Sequence, residues 1–228
     1  MTTYVVTGAD RGIGAAMCAV IAERGDKAIA ACLGHGRELV DAPNLDIVTG
    51  VDVASTEGVR RLTQHIDTRQ IDVLINNAGL VTDQMLGQFD YDAMMREYAV
   101  NALGPLRVTE ALLPRIGRGG KVCIISSRVG SLSENGIGGL YGYRMSKAAA
   151  NMAGLNLSHE LKTRGIAVLC LHPGSVRTEM TAGLADQATV GTLAAPRDAA
   201  RALLERIDEL NLETTGQFRH ANGQMLSW

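Results

Sequence analysis

Directly after the short apolar segment Tyr4-Val5-Val6 the chain reads Thr7-Gly8-Ala9-Asp10-Arg11-Gly12-Ile13-Gly14, three glycines spaced G-x-x-x-G-x-G. Gly8, Gly12 and Gly14 let a chain turn sharply out of a strand and let another group come close to the backbone. Residues 13–24 have helical spacing and are closed by Gly25, so the helix aims its free N–H groups and positive dipole end back at the turn. Strand, glycine turn and helix N-terminus together make a cradle suited to a pyrophosphate. A glycine cluster alone is weak evidence. Its position between the first strand and the first helix of an alternating chain gives it weight.

That alternation runs the length of the sequence. Apolar runs at 4–7, 27–33, 45–51, 71–75, 121–126, 166–171 and 216–219 read as strands. Between them, helical patterns are expected at 56–67, at 91–113 (stopped by Pro114), at 143–164 (closed by Gly165) and at 196–211. Strands apolar on both faces, alternating with helices, imply a parallel sheet covered on both sides. Right-handed crossovers then give a Rossmann-type, doubly wound, mostly parallel seven-stranded α/β sheet. No linker, repeat or low-complexity segment divides residues 1–228, so one dinucleotide-binding domain is expected. The stretch 178–195, with Gly183 and Gly191 and little periodicity, reads as a mobile substrate loop.

Several function classes are excluded by composition. A net charge of −2 gives no support for a nucleic-acid partner. No apolar run approaches the ~20 residues that span a bilayer, and no leader-like segment opens the chain, so a cytoplasmic protein without a membrane partner is expected. Cys18, Cys32, Cys123 and Cys170 lie apart in apolar stretches and read as small core residues in a reducing compartment. Five scattered histidines have no ligand spacing, and no metal is expected; His172, beside Pro173, reads as packing under the cofactor loop.

Further motifs sit at the ends of the apolar runs. Asn76-Asn77-Ala78-Gly79 follows the fourth, Ser126-Ser127 the fifth and Pro173-Gly174 the sixth; Asn101 lies in the long helical stretch, and Tyr143-Arg144-Met145-Ser146-Lys147 is a Y-x-x-x-K. With the glycine spacing, this set resembles the short-chain dehydrogenase/reductase family, and the resemblance covers essentially the whole chain. Residues 141–147, 172–180 and the ending Asn222-Gly223 to Trp228 most resemble its carbonyl-reductase and C-factor-like branch. The resemblance implies catalytic roles for Tyr143, Lys147, Ser127 and Asn101. It implies cofactor contacts at Gly8, Asp10, Arg11, Gly12, Ile13, Gly14, Cys32, Asp52, Val53, Asn77, Ala78, Gly79, Tyr143, Lys147, Pro173, Gly174, Val176 and Thr178. It also implies a homodimer or homotetramer. One departure stands out: Ser127 and Tyr143 are further apart than is usual in the family, and the extra residues fall in the glycine-rich stretch 131–139.

Physical chemistry supports the catalytic assignment independently. Tyr143 and Lys147 share a helix face. A phenol ordinarily titrates near ~10, and a neighbouring ammonium favours phenolate, bringing it toward a working range. Ser127 can hydrogen-bond a substrate carbonyl oxygen, and Asn101 can place a water that links Lys147 to solvent. Tyr141 has Met145, not lysine, one turn on, and reads as pocket lining.

In this family an acid ending the second strand binds the adenosine ribose hydroxyls of NAD and repels the extra phosphate of NADP. Cys32 stands there instead, and Arg11 and Arg37 can supply cations, so NADP(H) is favoured with NAD(H) as the alternative. The expected activity is hydride transfer between nicotinamide and a carbonyl or alcohol carbon, on a hydrophobic small molecule. Segments 80–85, 131–141 and 178–195 would line the pocket, Glu134 and Asn135 being its polar exceptions. The rival reading is a non-enzymatic dinucleotide-binding signalling protein. A degenerate member should have lost Tyr143, Lys147 or Ser127, and all three are present.

Overall fold

The computed structural model describes residues 1–182 and 193–228. Its elements run β1 (Thr3–Thr7), α1 (Gly12–Glu23), β2 (Lys27–Ala31), β3 (Leu45–Val48), α2 (Thr56–Ile66), β4 (Ile71–Asn76), α3 (Tyr91–Tyr98), α4 (Gly104–Leu112), β5 (Ile116–Ile125), α5 (Tyr141–Lys162), β6 (Ala167–His172), α6 (Glu179–Ala182), α7 (Pro196–Glu209) and β7 (Gln217–His220). The seven strands form one sheet in the order β3-β2-β1-β4-β5-β6-β7, and every pairing is parallel. The strand order reverses between β1 and β4, and a ligand crevice is expected at the carboxyl ends of strands flanking such a point. The glycine turn and Asn76-Asn77-Ala78-Gly79 are at those ends.

Alternate strand residues feed two cores, which is why the strands read as continuously apolar. On one face Val6, Ala30, Val73, Cys123 and Leu169 pack with Met17 and Ile21 of α1 and Leu203, Leu204 and Ile207 of α7. On the other, Val5, Ile29, Leu74, Val122 and Val168 pack with Leu62 of α2, Val108 and Leu112 of α4 and Leu161 of α5. All four cysteines are free and buried.

Three elements depart from expectation. The stretch 91–113 is not one helix: a π turn, Ala99–Leu103, separates α3 from α4. β5 begins at Ile116, and its register against β4 slips between Ile71–Ile116 and Val73–Lys121, across Gly117-Arg118-Gly119-Gly120. α5 starts at Tyr141, two residues early. Of the expected loop 178–195, residues 183–192 lie outside the described residues; 179–182 form α6. No helix among the described residues is long and apolar enough to cross a membrane.

Candidate active site

The glycine turn is shaped by close backbone approach. Gly8 has φ +63°, and a Cβ there would lie 2.6 Å from Ala78 Cα; one at Gly14 would lie 2.3 Å from the Gly8 carbonyl oxygen. Thr7 clamps the turn to the β4 terminus, its hydroxyl accepting from the N–H of Asn77 (3.0 Å) and of Ala78 (3.1 Å). The Asn77 amide answers by donating to the Thr7 and Gly8 carbonyls at 2.9 and 3.0 Å. Asn77 therefore shapes the cradle, its amide N–H groups being spent on the loop. Thr7 is a site residue that sequence reasoning passed over; a threonine ending the strand before the first glycine was its only signal.

Beyond the turn, Asp10 accepts from the N–H of Leu33 and of Gly34, both at 2.8 Å, fixing the end of β2. Cys32 does not line the cleft as expected. It is fully buried and joins the first core, its Sγ 3.4 Å from where a Gly36 Cβ would stand. Burial pushes the thiol up to about 12. Asp52 caps its own turn at the Ala54 N–H (2.8 Å), and Val53 packs its side chain under Gly104. Two carboxylates not foreseen occupy the anion-binding features. Glu38 accepts from the Gly12 N–H at 2.7 Å, at the start of a helix whose cap residue, Arg11, offers no side-chain bond. Glu179 of α6 pairs with both Arg11 (2.8 Å) and Arg37. Both arginines were named from sequence; their meeting place is a property of the fold.

At the other end of the crevice, Pro173 and Gly174 follow β6, with Gly174 against the His220 ring. Val176 is buried and bridged to Ala194. The Thr178 methyl comes within 3.3 Å of where a Gly12 Cβ would stand, so this segment reaches the glycine turn. His172 packs edge-on against His220, and burial pulls it down to about 3, leaving it neutral.

The catalytic candidates converge from β5 and α5. The Tyr143 phenol lies by the Ser127 hydroxyl, which favours its ionised form. Lys147 is 4% exposed; its Nζ lies 5.7 Å from the Tyr143 ring centre and donates to the Ile125 carbonyl at 2.8 Å. Gly130 permits this closeness, because a Cβ there would stand 2.7 Å from the Lys147 carbonyl carbon. Ser126 points elsewhere, bonding Asn151 in the interior at 2.5 Å. Burial pushes Tyr143 up to about 12, the Ser127 hydroxyl opposing and Glu97 adding to the rise; burial pulls Lys147 down to about 8. Asn101 sits in the π turn, a feature often found at functional sites. Its amide donates to the Leu80 carbonyl (2.7 Å) and Ser146 hydroxyl (2.9 Å) and accepts from the Leu80 N–H (2.8 Å). Asn101 thus holds the strand-end loop against α5. A Cβ on Gly79 would lie 3.5 Å from Asn101 Oδ1 and 3.7 Å from Lys147 Nζ, so the three groups border one space.

The long interval before Tyr143 is clasped by the chain's end. Ser133 donates twice to the Trp228 carbonyl, Glu134 pairs with Arg128 at 3.1 Å, and Trp228 stacks on Phe218. Glu134 is therefore committed to an ion pair, and Asn135 to the Gly138 N–H (3.1 Å). Tyr141 packs edge-on against Phe89 and leaves Tyr143 alone with the lysine. A separate concavity bounded by Thr2, Tyr4, Asp72 and Lys121 opens at the opposite ends of the strands, remote from these groups.

Residues 2–189 match the family model for short chain dehydrogenase. Over its full length the chain is 42% identical to the whole of 1-hydroxy-2-glutathionyl-2-methyl-3-butene dehydrogenase of Rhodococcus sp. (strain AD45). It is 44% identical to C-signal of Myxococcus xanthus, over 75% of this chain and all of that one. A carbonyl reductase from Pseudomonas aeruginosa PAO1 superposes with a TM-score of 0.85 and 28% identity, each chain covered completely. With the glycine cradle at the sheet's reversal point and the tyrosine, lysine and serine gathered beside it, these matches agree on one assignment: the chain belongs to the short-chain dehydrogenase family and is an NAD(P)(H)-dependent oxidoreductase.

Proposed function

We propose that the protein reduces a hydrophobic ketone or aldehyde to its alcohol, NADP(H) being the preferred cofactor. The observation carrying this reading is the meeting of Tyr143, Ser127 and Lys147 beside Gly79 at the carboxyl ends of β4 and β5. When bound, the reduced nicotinamide supplies the hydride. Tyr143 gives its phenolic proton to the carbonyl oxygen, and Ser127 donates a hydrogen bond to the same oxygen, stabilising the charge that gathers there. With the phenol pushed up to about 12 it is protonated at neutral pH, the form a reduction needs. The Lys147 ammonium spends one N–H on Ile125; its others are left to hold ribose hydroxyls and to steady the phenolate once the proton has gone.

The cradle fits a dinucleotide: Gly8 and Gly14 leave no room for side chains, and the Gly12 N–H at the start of α1 already holds an anionic oxygen, that of Glu38, which a phosphate would replace. Arg11 and Arg37 are proposed to read the 2′-phosphate, since both already converge on one carboxylate, Glu179, which stands in for that anion. Glu38 favours a second reading, in which its carboxylate takes the ribose hydroxyls of NAD(H). Met85, Leu86, Leu132 and Ile137, on the loops that follow β4 and β5, are exposed and support an apolar substrate. Met95 and Tyr98 of α3 and Met145 and Met152 of α5 form an exposed apolar face suited to a second copy, as a homodimer or homotetramer.

The test is oxidation of NADPH and NADH against aldehydes and ketones graded in hydrophobicity. Turnover with NADPH that improves with apolar character supports the proposal. Preference for NADH that is lost in Glu38→Gln favours the second reading, and no turnover with either cofactor overturns both.

A further inference from the structure

Glu97, on the inner side of α3, is fully buried, and among the described residues no cation pairs with it. Its Oε1 accepts from the Thr82 N–H at 2.6 Å, and its Oε2 meets the Gln84 amide at 3.5 Å. Gln84 is itself 2% exposed; its amide donates to the Thr82 hydroxyl at 2.7 Å and its carbonyl accepts from the Gly142 N–H at 3.0 Å. A Cβ on Gly142 would lie 2.1 Å from Glu97 Oε2, 2.8 Å from Gln84 Oε1 and 2.9 Å from Met94 Cγ. The carboxylate is therefore seated against the first turn of α5, one residue before Tyr143. That turn lacks a side-chain cap of its own, because Leu140, at φ +47°, supplies none.

An unpaired buried carboxylate is a poor device for stability alone, since an apolar residue of similar volume usually serves a core better. Burial raises the Glu97 carboxyl, while the Thr82 N–H favours its charged form. The titratable groups facing this corner are Tyr143 and Lys147 of α5, with Ser127 beside the phenol at the end of β5 and Cys170 of β6 acting on Lys147. Asp83 lies on the same loop as Thr82 and Gln84. The neighbouring arginines of α3 and α5 are engaged elsewhere, Arg96 with Asp90 and Arg144 with the Gly139 and Val129 carbonyls.

We propose that Glu97 is a positioning residue for the reaction: through Gln84 it ties the loop at 80–84 to the first turn of α5, one residue before Tyr143, and so sets where the phenol stands relative to the bound carbonyl. The inference rests on Tyr143 being the acid of the proposed reduction. It goes beyond that reading by linking the loop at 80–84 to the placement of the group that gives up the proton.

The test uses the full chain with NADPH and an accepted carbonyl substrate, measuring kcat and KM across pH for wild type, Glu97→Gln, Gln84→Met and Tyr143→Phe. Glu97→Gln keeps the shape and an acceptor for Thr82 and removes the charge. With its charged anchor for the Thr82 and Gln84 amides gone, this variant should lose kcat several-fold at unchanged NADPH affinity, and the high-pH limb of the reduction, where Tyr143 loses its proton, should move to lower pH. Gln84→Met keeps the charge and cuts the tether, and should raise KM roughly 10-fold with the limb unmoved, as expected when a positioning loop loses its anchor. Wild-type kcat and KM with an unmoved limb in Glu97→Gln, alongside native circular dichroism and cofactor binding, overturn the inference. If Glu97→Gln does not fold, an unchanged KM in Gln84→Met overturns it. Normal turnover in Tyr143→Phe overturns the acid assignment itself, and this inference with it; an inactive Tyr143→Phe beside an unaltered Glu97→Gln removes only the role of Glu97.

Discussion

Lys147→Met should make the cofactor-free protein more stable at neutral pH while abolishing most of its activity. Lys147 is 4% exposed, and burial pulls its ammonium from 10.5 to about 8. At ~1.4 kcal/mol per pH unit, holding that charge in the folded state costs about 3 kcal/mol at pH 7. Methionine fills a similar volume without the charge, but removes the donor from the Ile125 carbonyl, which costs about 1–2 kcal/mol. The net gain is about 1–2 kcal/mol, or roughly 2–8 °C in Tm for a chain of this size. The pH dependence fixes the cause. Because the folded pKa lies below the unfolded one, the penalty is fully present below about 8 and is relieved as pH rises toward 10.5. Urea unfolding at pH 7 and pH 10 reads it directly: the advantage of the variant should shrink and then reverse, wild type gaining about 3 kcal/mol relative to it. A variant less stable than wild type at pH 7, by a margin that does not change with pH, refutes the reasoning.

Glu179→Gln frees Arg11 and Arg37 from their common carboxylate and should tighten NADPH roughly 2–5-fold without altering NADH, the modest size reflecting an exposed ion pair; Arg11→Ala should weaken NADPH alone, and fluorescence titration distinguishes the two. Cys32→Asp places a carboxylate in the first core and should cost roughly 2 kcal/mol or more in urea unfolding before any change in cofactor preference is seen. Gly14→Ala drives a methyl into the Gly8 carbonyl and should remove binding of both dinucleotides by calorimetry. Met152→Glu should lower the assembly state on a sizing column with multi-angle light scattering, by charging the exposed face of α5.

Local signals were legible because they are local. The glycine turn, the Asn76-Asn77-Ala78-Gly79 segment and the Y-x-x-x-K spacing each carry their geometry within a few residues, and the doubly apolar strands announce a covered parallel sheet. Of the two serines ending β5, Ser127 lies by Tyr143 while Ser126 turns inward to Asn151. What sequence hid depends on partners far along the chain. The stretch at 91–113 does carry a break, Gly104-Pro105 in the first turn of α4, which the reading as one helix passes over; the π turn before it is seen only where Asn101 reaches Leu80 and Ser146. Glu97 sits in an ordinary amphipathic pattern, and its burial follows from Gln84 and the side-chain-free Gly142 closing over it. The family resemblance places Cys32 at the ribose, but Gly36 and Leu39 fold back over that position. The stretch at 131–139 reads as a free glycine-rich loop until the carboxyl terminus is placed on Ser133 and Glu134.

The central claim is that Tyr143 supplies the proton in a dinucleotide-dependent reduction. Tyr143→Phe removes one oxygen from a half-buried side chain and leaves the glycine cradle, Arg11 and Lys147 in place. Single-turnover reduction with NADPH pre-bound should slow by about 10²-fold or more, because positioned proton transfer contributes 10²–10⁴, while the dissociation constant for NADPH stays within a few-fold of wild type. Single-turnover rates within a few-fold of wild type, with cofactor binding intact, would contradict the account.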